Sequence, residues 1–347
     1  MLKIGILGCG RIAQTRHIPE YAANPACVLY GFYNPTASRA EEMAAKYGGR
    51  VYDTAEALIA DPEIDAVSVC TANFAHADLT IRSLRAGKHV LCEKPMATTI
   101  ADCEAMVKAA EEAGRSLMIA QNQRLMPAHA AARKLLEAGE LGRVLSFRTC
   151  FGHGGPEKWS VTPGGATWFF DKSKAAMGAM ADLGIHKTDL IQYLLGQRVV
   201  RTTARLATLD KRGSDGELIG VDDNAICIYE MQDGTIGTMT ASWTNYGGED
   251  NATVLYGTEG VLHILEDPAH PLVLQKAGQA PRFIDLGQPR SGSGIIDLWV
   301  DCLLSGSVPP ISGEAVLSAM CAVFASIESS ETGRTVEIPE NRLPLEA

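Results

Sequence analysis

The sequence predicts an α/β fold in two parts. An N-terminal doubly wound parallel sheet comes first, then an α/β unit built on an open, mainly antiparallel sheet. Three observations carry this. A short apolar strand, Leu2–Leu7, runs into Gly8-Cys9-Gly10-Arg11-Ile12-Ala13 and opens a helix. Apolar strands and helical stretches then alternate to about residue 120, the spacing of βαβ units. From about residue 199 the pattern is dominated by strands joined by tight turns.

The 347 residues predict about two domains, and we set the expected division at 1–122 and 123–347. With 46% hydrophobic and 21% charged residues the chain can bury a sizeable core. A formal charge of −10 argues against a nucleic-acid or anionic-membrane surface. No stretch approaches a membrane span, and the chain begins directly on a strand without a signal peptide, so the cytoplasm is the expected compartment. The nine cysteines are scattered and form no CxxC pair; free buried thiols are expected, with no disulfide, zinc or other metal site.

In the first unit, Gly8 and Gly10 permit a tight turn and the close approach of a pyrophosphate. Ala13 lets the helix pack near the strand, and the helix N-terminus at Arg11 and Ile12 supplies N–H donors. The second strand, about Val28–Tyr33, ends at Asn34, 21 residues after Ala13, where a ribose-binding acid usually stands. Asn34 neither accepts two hydroxyls as a carboxylate would nor repels a 2′-phosphate. Thr36, Ser38 and Arg39 follow at a helix start and could hold a phosphate, or simply cap the helix and meet solvent. These residues lean towards NADP over NAD.

Helices are expected at about Ser38–Tyr47, after a cap at Asp53 or Thr54, at Ala77–Ala86 and at Thr99–Ala113; strands at Ala66–Cys70, His89–Cys92 and Ser116–Ala120. Thr71, Asn73 and His76 lie at a strand's carboxyl end. Contact with a cofactor and plain turn chemistry are equally open to them. Strand His89–Cys92 runs into Glu93-Lys94-Pro95. Pro95 disfavours helix at Lys94 and ends the strand in an extended turn, at the edge where such sheets bind ligands. A lysine fixed there can orient a hydroxyl and stabilise an alkoxide; a surface lysine in an ordinary loop is the competing reading. Strand Ser116–Ala120 leads to Gln121.

The second unit opens with helix Ala128–Ala138 and strand Val144–Phe151. A long glycine- and aromatic-rich loop follows, with His153, Trp159 and Trp168, of a kind compact domains keep for function. A helix from about Met180 to Leu195 places Asp182, His186 and Asp189 at i, i+4 and i+7 on one face. A carboxylate one turn from an imidazole suits general acid–base work by orienting it; a satisfied structural histidine is the alternative, and the partner histidine of a metal pair is missing. Strands follow at about Val199–Thr208, Asn224–Met231, Thr235–Trp243, Ala252–Gly257, Gly260–Leu265 and Pro271–Gln275. Helices Ile295–Leu304 and Gly313–Ser330 and a short strand at Thr335–Ile338 close the chain. A sheet covered by helices on one face offers its other face to a second copy.

Taken together, Gly8-x-Gly10-x-x-Ala13, Thr71-x-Asn73-x-x-His76, Ala86-Gly87-Lys88-His89-Val90-Leu91-Cys92-Glu93-Lys94-Pro95, Gln121…Arg124…Pro127 and Gly178-x-x-x-Asp182-x-Gly184-x-His186-x-x-Asp189 resemble the glucose–fructose oxidoreductase/inositol dehydrogenase (Gfo/Idh/MocA) family over nearly the whole chain. The resemblance implies a Rossmann domain followed by an α/β domain, and hydride transfer between NAD(P) and a hydroxyl or carbonyl carbon of a sugar, polyol or inositol. It implies Lys94, Asp182 and His186 as the catalytic group. Glu93, Lys94, Gln121, Trp168 and the turn Thr71–His76 would approach the cofactor. Arg148, His153 and Trp159 are added as substrate contacts beside the catalytic three. A homodimer or homotetramer through the C-terminal sheet is expected. Ala176, Met177 and Ala179 stand where the family often has glycines, which is expected to shape the substrate pocket. An NAD-dependent glycoside hydrolase of the same family and a non-catalytic sugar- or cofactor-sensing protein are the alternatives.

Overall fold

A computed structural model describes residues 1–288 and 292–339. Its first sheet has strands β1 (Leu2–Leu7), β2 (Cys27–Tyr33), β3 (Arg50–Val51), β4 (Ala66–Val69), β5 (His89–Cys92) and β6 (Leu117–Ile119), all parallel, in the order β3-β2-β1-β4-β5-β6. This is the order of dinucleotide-binding folds, with a crevice where it reverses between β1 and β4. Every residue of β4 and β6 is buried, as expected of short apolar runs in a sheet covered on both faces. Thr54 and Thr99 cap their helices through their own hydroxyls, and Gly87 and Gly114 follow helix ends with positive φ. The first helix carries a π-turn at Ala13–His17, where Ile18 N–H bonds Ala13 O. Pro19, which has no N–H to give, sits in the turn that follows.

The second sheet has nine strands: β7 (Val144–Gly152), β8 (Val199–Ala207), β9 (Asn224–Met231), β10 (Ile236–Ser242), β11 (Thr253–Gly257), β12 (Val261–Asp267), β13 (His270–Gln275), β14 (Arg282–Phe283) and β15 (Val336–Glu337). Their order is β14-β13-β12-β11-β7-β10-β9-β8-β15, and only the central β7–β10 pair is parallel. Strict alternation divides its faces. Ala225, Cys227, Tyr229, Met239 and Ala241 are buried, and Ile226, Ile228 and Ile236 are more than half exposed. The inner face packs on helices Ile185–Leu195 and Gly313–Thr332. Strands β3 and β14 are two residues each, too short to show a pattern in sequence. All nine cysteines are free thiols, eight of them buried. Among the described residues no helix is long and apolar enough to cross a membrane.

We propose the division of the chain at residue 122/123, with one return. The stretch after Gly292 comes back to the first sheet. Ser293 bonds Glu20, Asn24 Nδ2 donates to Asp297 Oδ1, and Ile119 N–H donates to Ile311 O at the edge beyond β6. Arg124, just past the division, fixes the join. Its Nε and Nη2 donate to the two oxygens of Asp189 at 2.8 and 2.6 Å, and it also reaches the carbonyls of Pro310 and Ala315. Both side chains of the pair are less than a tenth exposed. Asp189→Ala leaves the guanidinium buried without its carboxylate, so urea unfolding should show a loss of about 3 kcal/mol or more; a loss below about 1 kcal/mol, the level of a surface pair, would remove this role.

Candidate active site

The glycine turn after β1 is built for close approach. Gly8 has φ 99°, and a Cβ there would stand 2.7 Å from Cys70 O, so the turn lies directly against the end of β4; a Cβ at Gly10 would meet only Cys70 O, at 3.8 Å. Asn34 ties this turn to β2: its Oδ1 accepts from Cys9 N–H at 3.0 Å, and its Nδ2 donates to Thr36 O. Thr36 and Ser38 are exposed, and neither caps the following helix through its hydroxyl. Arg39 donates to Thr162 Oγ1 of the long loop at 3.2 Å. Thr71 Oγ1 is buried in the same crevice with no partner. A glycine cradle, a free helix N-terminus and an orphaned hydroxyl fit a dinucleotide.

Asn73 and His76 tie neighbouring segments together. Asn73 Nδ2 donates to Ala175 O, joining the turn to the second unit, and buried His76 lies between Pro95 O (2.8 Å) and Thr71 O (3.1 Å). Burial, before any other cause, pulls the His76 imidazole down. A neutral ring has one N–H and so donates to one of these two carbonyls, and His76 packs the two turns together. Glu93 is also buried. It accepts from His17 Nε2 at 2.8 Å and from Lys94 N–H at 3.2 Å. Burial pushes its carboxyl up, but His17 and Lys94 more than offset this and leave it below its ordinary value.

β5 runs out at Cys92 and leads through Glu93 to Lys94, and the Lys94–Pro95 peptide is cis. Lys94 Nζ crosses the cleft to Asp182, donating to Oδ1 at 2.7 Å and to the main-chain O at 2.9 Å. Trp243 Nε1 donates to the other carboxylate oxygen at 3.0 Å. Burial alone would raise the Asp182 carboxyl; the charges of Lys94 and His153 and the hydrogen bonds of Lys94 and Trp243 outweigh it, so Asp182 stays ionised.

The imidazole of His186 is oriented by Gln121, whose Oε1 accepts from Nδ1–H at 2.9 Å. This corrects the expectation that Asp182 orients it. Met180–Gly184 forms a π-turn before the regular helix Ile185–Leu195, and the wider turn takes position 182 out of line with 186. Nδ1 carries the proton, so Nε2 presents its lone pair. Burial first, then the charges of Lys94, Arg16 and Lys187, hold His186 well below the usual imidazole range. His153 stands nearby with Nε2 3.9 Å from Asp182 Oδ2, and its Nδ1 accepts from Gly155 N–H.

The loop supplies an aromatic wall. Trp159 packs edge-on against His153 and Phe169, Trp168 stacks on Phe169 at 3.9 Å, and Phe169 and Phe170 meet Trp243. Arg148 is not part of it. Phe147 and Thr149 on β7 face inward, so strand alternation sends Arg148 to the outer face, where it pairs with Glu266. This removes Arg148 from the substrate contacts. The departure from the family's glycines is also visible: Ala176 takes φ 63°, a backbone that favours glycine. Gly178 is indispensable, since a Cβ there would lie 1.8 Å from Asp222 O. The Asp222 carboxylate accepts from the N–H groups of Gly178 and Met180 and so anchors the helix that carries Asp182 and His186. Sequence reading missed Trp243 and Asp222; the adjacent acids Asp222-Asp223 before a strand were the available signal for the latter.

Comparison with known proteins agrees with this arrangement. Residues 2–121 match the model of an oxidoreductase family with an NAD-binding Rossmann fold, and residues 129–263 match the GFO/IDH/MocA C-terminal domain. A levoglucosan dehydrogenase of Pseudarthrobacter phenanthrenivorans is 31% identical over 75% of this chain and 72% of its own length. The myo-inositol 2-dehydrogenase of Thermotoga maritima is 25% identical over 98% and 99%. Among solved structures, an aldose-aldose oxidoreductase of Caulobacter crescentus complexed with glycerol superposes with TM-score 0.84 at 30% identity, covering 97% of this chain and 99% of that one. A levoglucosan dehydrogenase complexed with NADH and levoglucosan gives TM-score 0.85 at 26% identity, covering 97% and 99%. With a parallel sheet in dinucleotide-binding order, catalytic-type side chains meeting across a cleft, and both domain models matched, the chain belongs to the Gfo/Idh/MocA family of oxidoreductases.

Proposed function

We propose that this oxidoreductase interconverts a hydroxyl and a carbonyl on a sugar, polyol or inositol, with His186 as the proton acceptor. The observation that carries the reading is the open Nε2 of His186, whose other nitrogen is committed to Gln121, in the pocket where Lys94 meets Asp182. A bound nicotinamide supplies hydride acceptance or donation. The chain's own residues do the rest. Lys94 Nζ, held by Asp182, binds the reacting oxygen and stabilises its negative charge. His186 Nε2 takes the hydroxyl proton in oxidation and returns it in reduction. Asp182 remains a carboxylate and fixes Lys94. Trp159, His153 and the stacked Trp168–Phe169 pair border the sugar and exclude water. Relatives named as dehydrogenases and oxidoreductases support net redox chemistry over glycoside hydrolysis or sensing.

For the coenzyme we keep the lean to NADP. No carboxylate stands at Asn34, and Thr36, Ser38 and Arg39 supply donors for a 2′-phosphate. The exposed face of the second sheet is proposed as the contact between copies. Ile226, Ile228 and Ile236 lie 54–57% exposed on adjacent strands with Leu145 and Tyr256 beside them.

Lys94→Ala and His186→Ala should each lower kcat by about 10²–10⁴-fold with dinucleotide binding kept. A substrate panel of levoglucosan, myo-inositol and glucose with both coenzymes checks this, and near-normal turnover in either variant would remove the assignment. Oxidation needs neutral His186, so kcat/KM should be insensitive to this group at neutral pH and fall only as pH drops through its depressed pKa, below 6.5. Titration of the fluorescence of the four tryptophans should show tighter binding of NADPH than of NADH; a preference for NADH would overturn the 2′-phosphate site. Light scattering should find a dimer or tetramer that Ile228→Asp converts to smaller species. A wild-type monomer would end the interface proposal.

A further inference from the structure

Lys187 follows His186 in sequence, and its side chain is fully buried. Its Nζ donates to Asn251 O at 2.8 Å and lies 3.4 Å from Thr253 Oγ1, which in turn bonds Thr149 Oγ1 at 2.7 Å. No carboxylate among the described residues forms an ion pair with it. The ammonium stands 6.0 Å from the centre of the Phe151 ring. The same ring packs against His186 at 6.1 Å and edge-on to His153 at 6.0 Å. A lysine at this place costs more than any apolar residue of its size, because an ammonium held without a counter-charge is expensive to bury. Its charge is also poorly screened there.

We propose that Lys187 is a positioning residue for His186: its buried cation, separated from the imidazole by Phe151, disfavours a second proton on His186 and keeps Nε2 free to act as base. The proposal rests on His186 being the proton acceptor. Two histidines feel the charge. Burial and then Lys187 lower His129, to about 3, and Lys187 joins burial, Lys94 and Arg16 in lowering His186. Burial brings Lys187 itself down to about 7, so its charge is present on the acid side, where His186 would otherwise gain a proton. Besides Lys187, the charges acting on His186 are Lys94 beyond β5 and Arg16 on the first helix; His153 lies across the Phe151 ring and Asp182 in the preceding π-turn. Those facing Lys187 are Cys150 on β7, Glu249 and Asp250 before β11, and His129 on helix Pro127–Glu137. All of them remain in the variants used as tests.

Lys187→Met removes the charge and keeps the volume; Lys187→Gln removes the charge and keeps a donor for Asn251 O. In both, the acid limb of kcat/KM for oxidation should move up by about half a pH unit or more, a loss of about threefold below the limb, with the alkaline plateau retained. In protein labelled with ¹³C-histidine, the His186 resonance, identified by its loss in His186→Asn, should titrate at correspondingly higher pH. Profiles and titrations that coincide with wild type in both variants overturn the proposal. So does a shift in Lys187→Met that Lys187→Gln restores, because hydrogen bonding and not charge would then be responsible. If neither variant folds, the wild-type His186 resonance decides: it must show a second inflection near pH 7 as Lys187 loses its proton, and a single inflection overturns the proposal. Absence of turnover in the wild type would strike the oxidoreductase reading alone, since the resonance titration does not depend on it.

Discussion

The ion pair between Lys94 and Asp182 is the contact on which the site depends. One partner ends a strand of the parallel sheet and the other lies on a helix packed against the antiparallel sheet. Neither charge is well placed alone, since both side chains are largely buried and each would pay heavily for leaving water unpaired. Their meeting therefore aligns the two sheets and presents an ammonium, its charge partly balanced, to the cleft. Trp243 completes the carboxylate from the end of β10, so three separate elements converge on five polar atoms.

Around this pair the chain commits its polar groups one by one, leaving few atoms open. Gln121 takes Nδ1 of His186, Asn34 takes the N–H of Cys9, His76 fills the space between two carbonyls, and Asp222 holds two N–H groups at the start of the helix that carries Asp182 and His186. What stays free is informative for that reason. Nε2 of His186, Oγ1 of Thr71 and Nε2 of Gln121 are among the unengaged atoms of the described residues. Such pre-organisation means little reorganisation is required when charge develops on a bound oxygen.

Much of this was legible in the sequence. The glycine fingerprint, the strand ending in Glu93-Lys94-Pro95 and the Asp182–His186 spacing are local patterns, and local patterns survive without coordinates. The helix stops at Gly87, Gly114 and Gly196 were legible for the same reason. What could not be read depends on contacts between distant segments. The partner of His186 was assigned to Asp182 because a regular helix was assumed, and a π-turn leaves no signature in residue types. Trp243 lies 61 positions from the carboxylate it serves. Arg148 was placed in the pocket because alternation along β7 tells two faces apart without saying which one faces inward. For His76 the motif leaves cofactor contact and turn chemistry equally open, because burial cannot be read in one dimension.

The join at Arg124 has a consequence for how such proteins diversify. The guanidinium sits on the segment leaving the nucleotide-binding sheet, and its carboxylate, Asp189, lies one turn beyond His186 on the same helix. A recombined chain joined at residue 122/123 would keep this pair whole, since both members lie in the second half, but it would have to match Gln121 of one half to His186 of the other and Lys94 to Asp182. The halves of this protein are thus heritable as a matched set, and the loop between β7 and that helix belongs to the match, since its Ala175 O accepts from Asn73 and its Thr162 Oγ1 from Arg39.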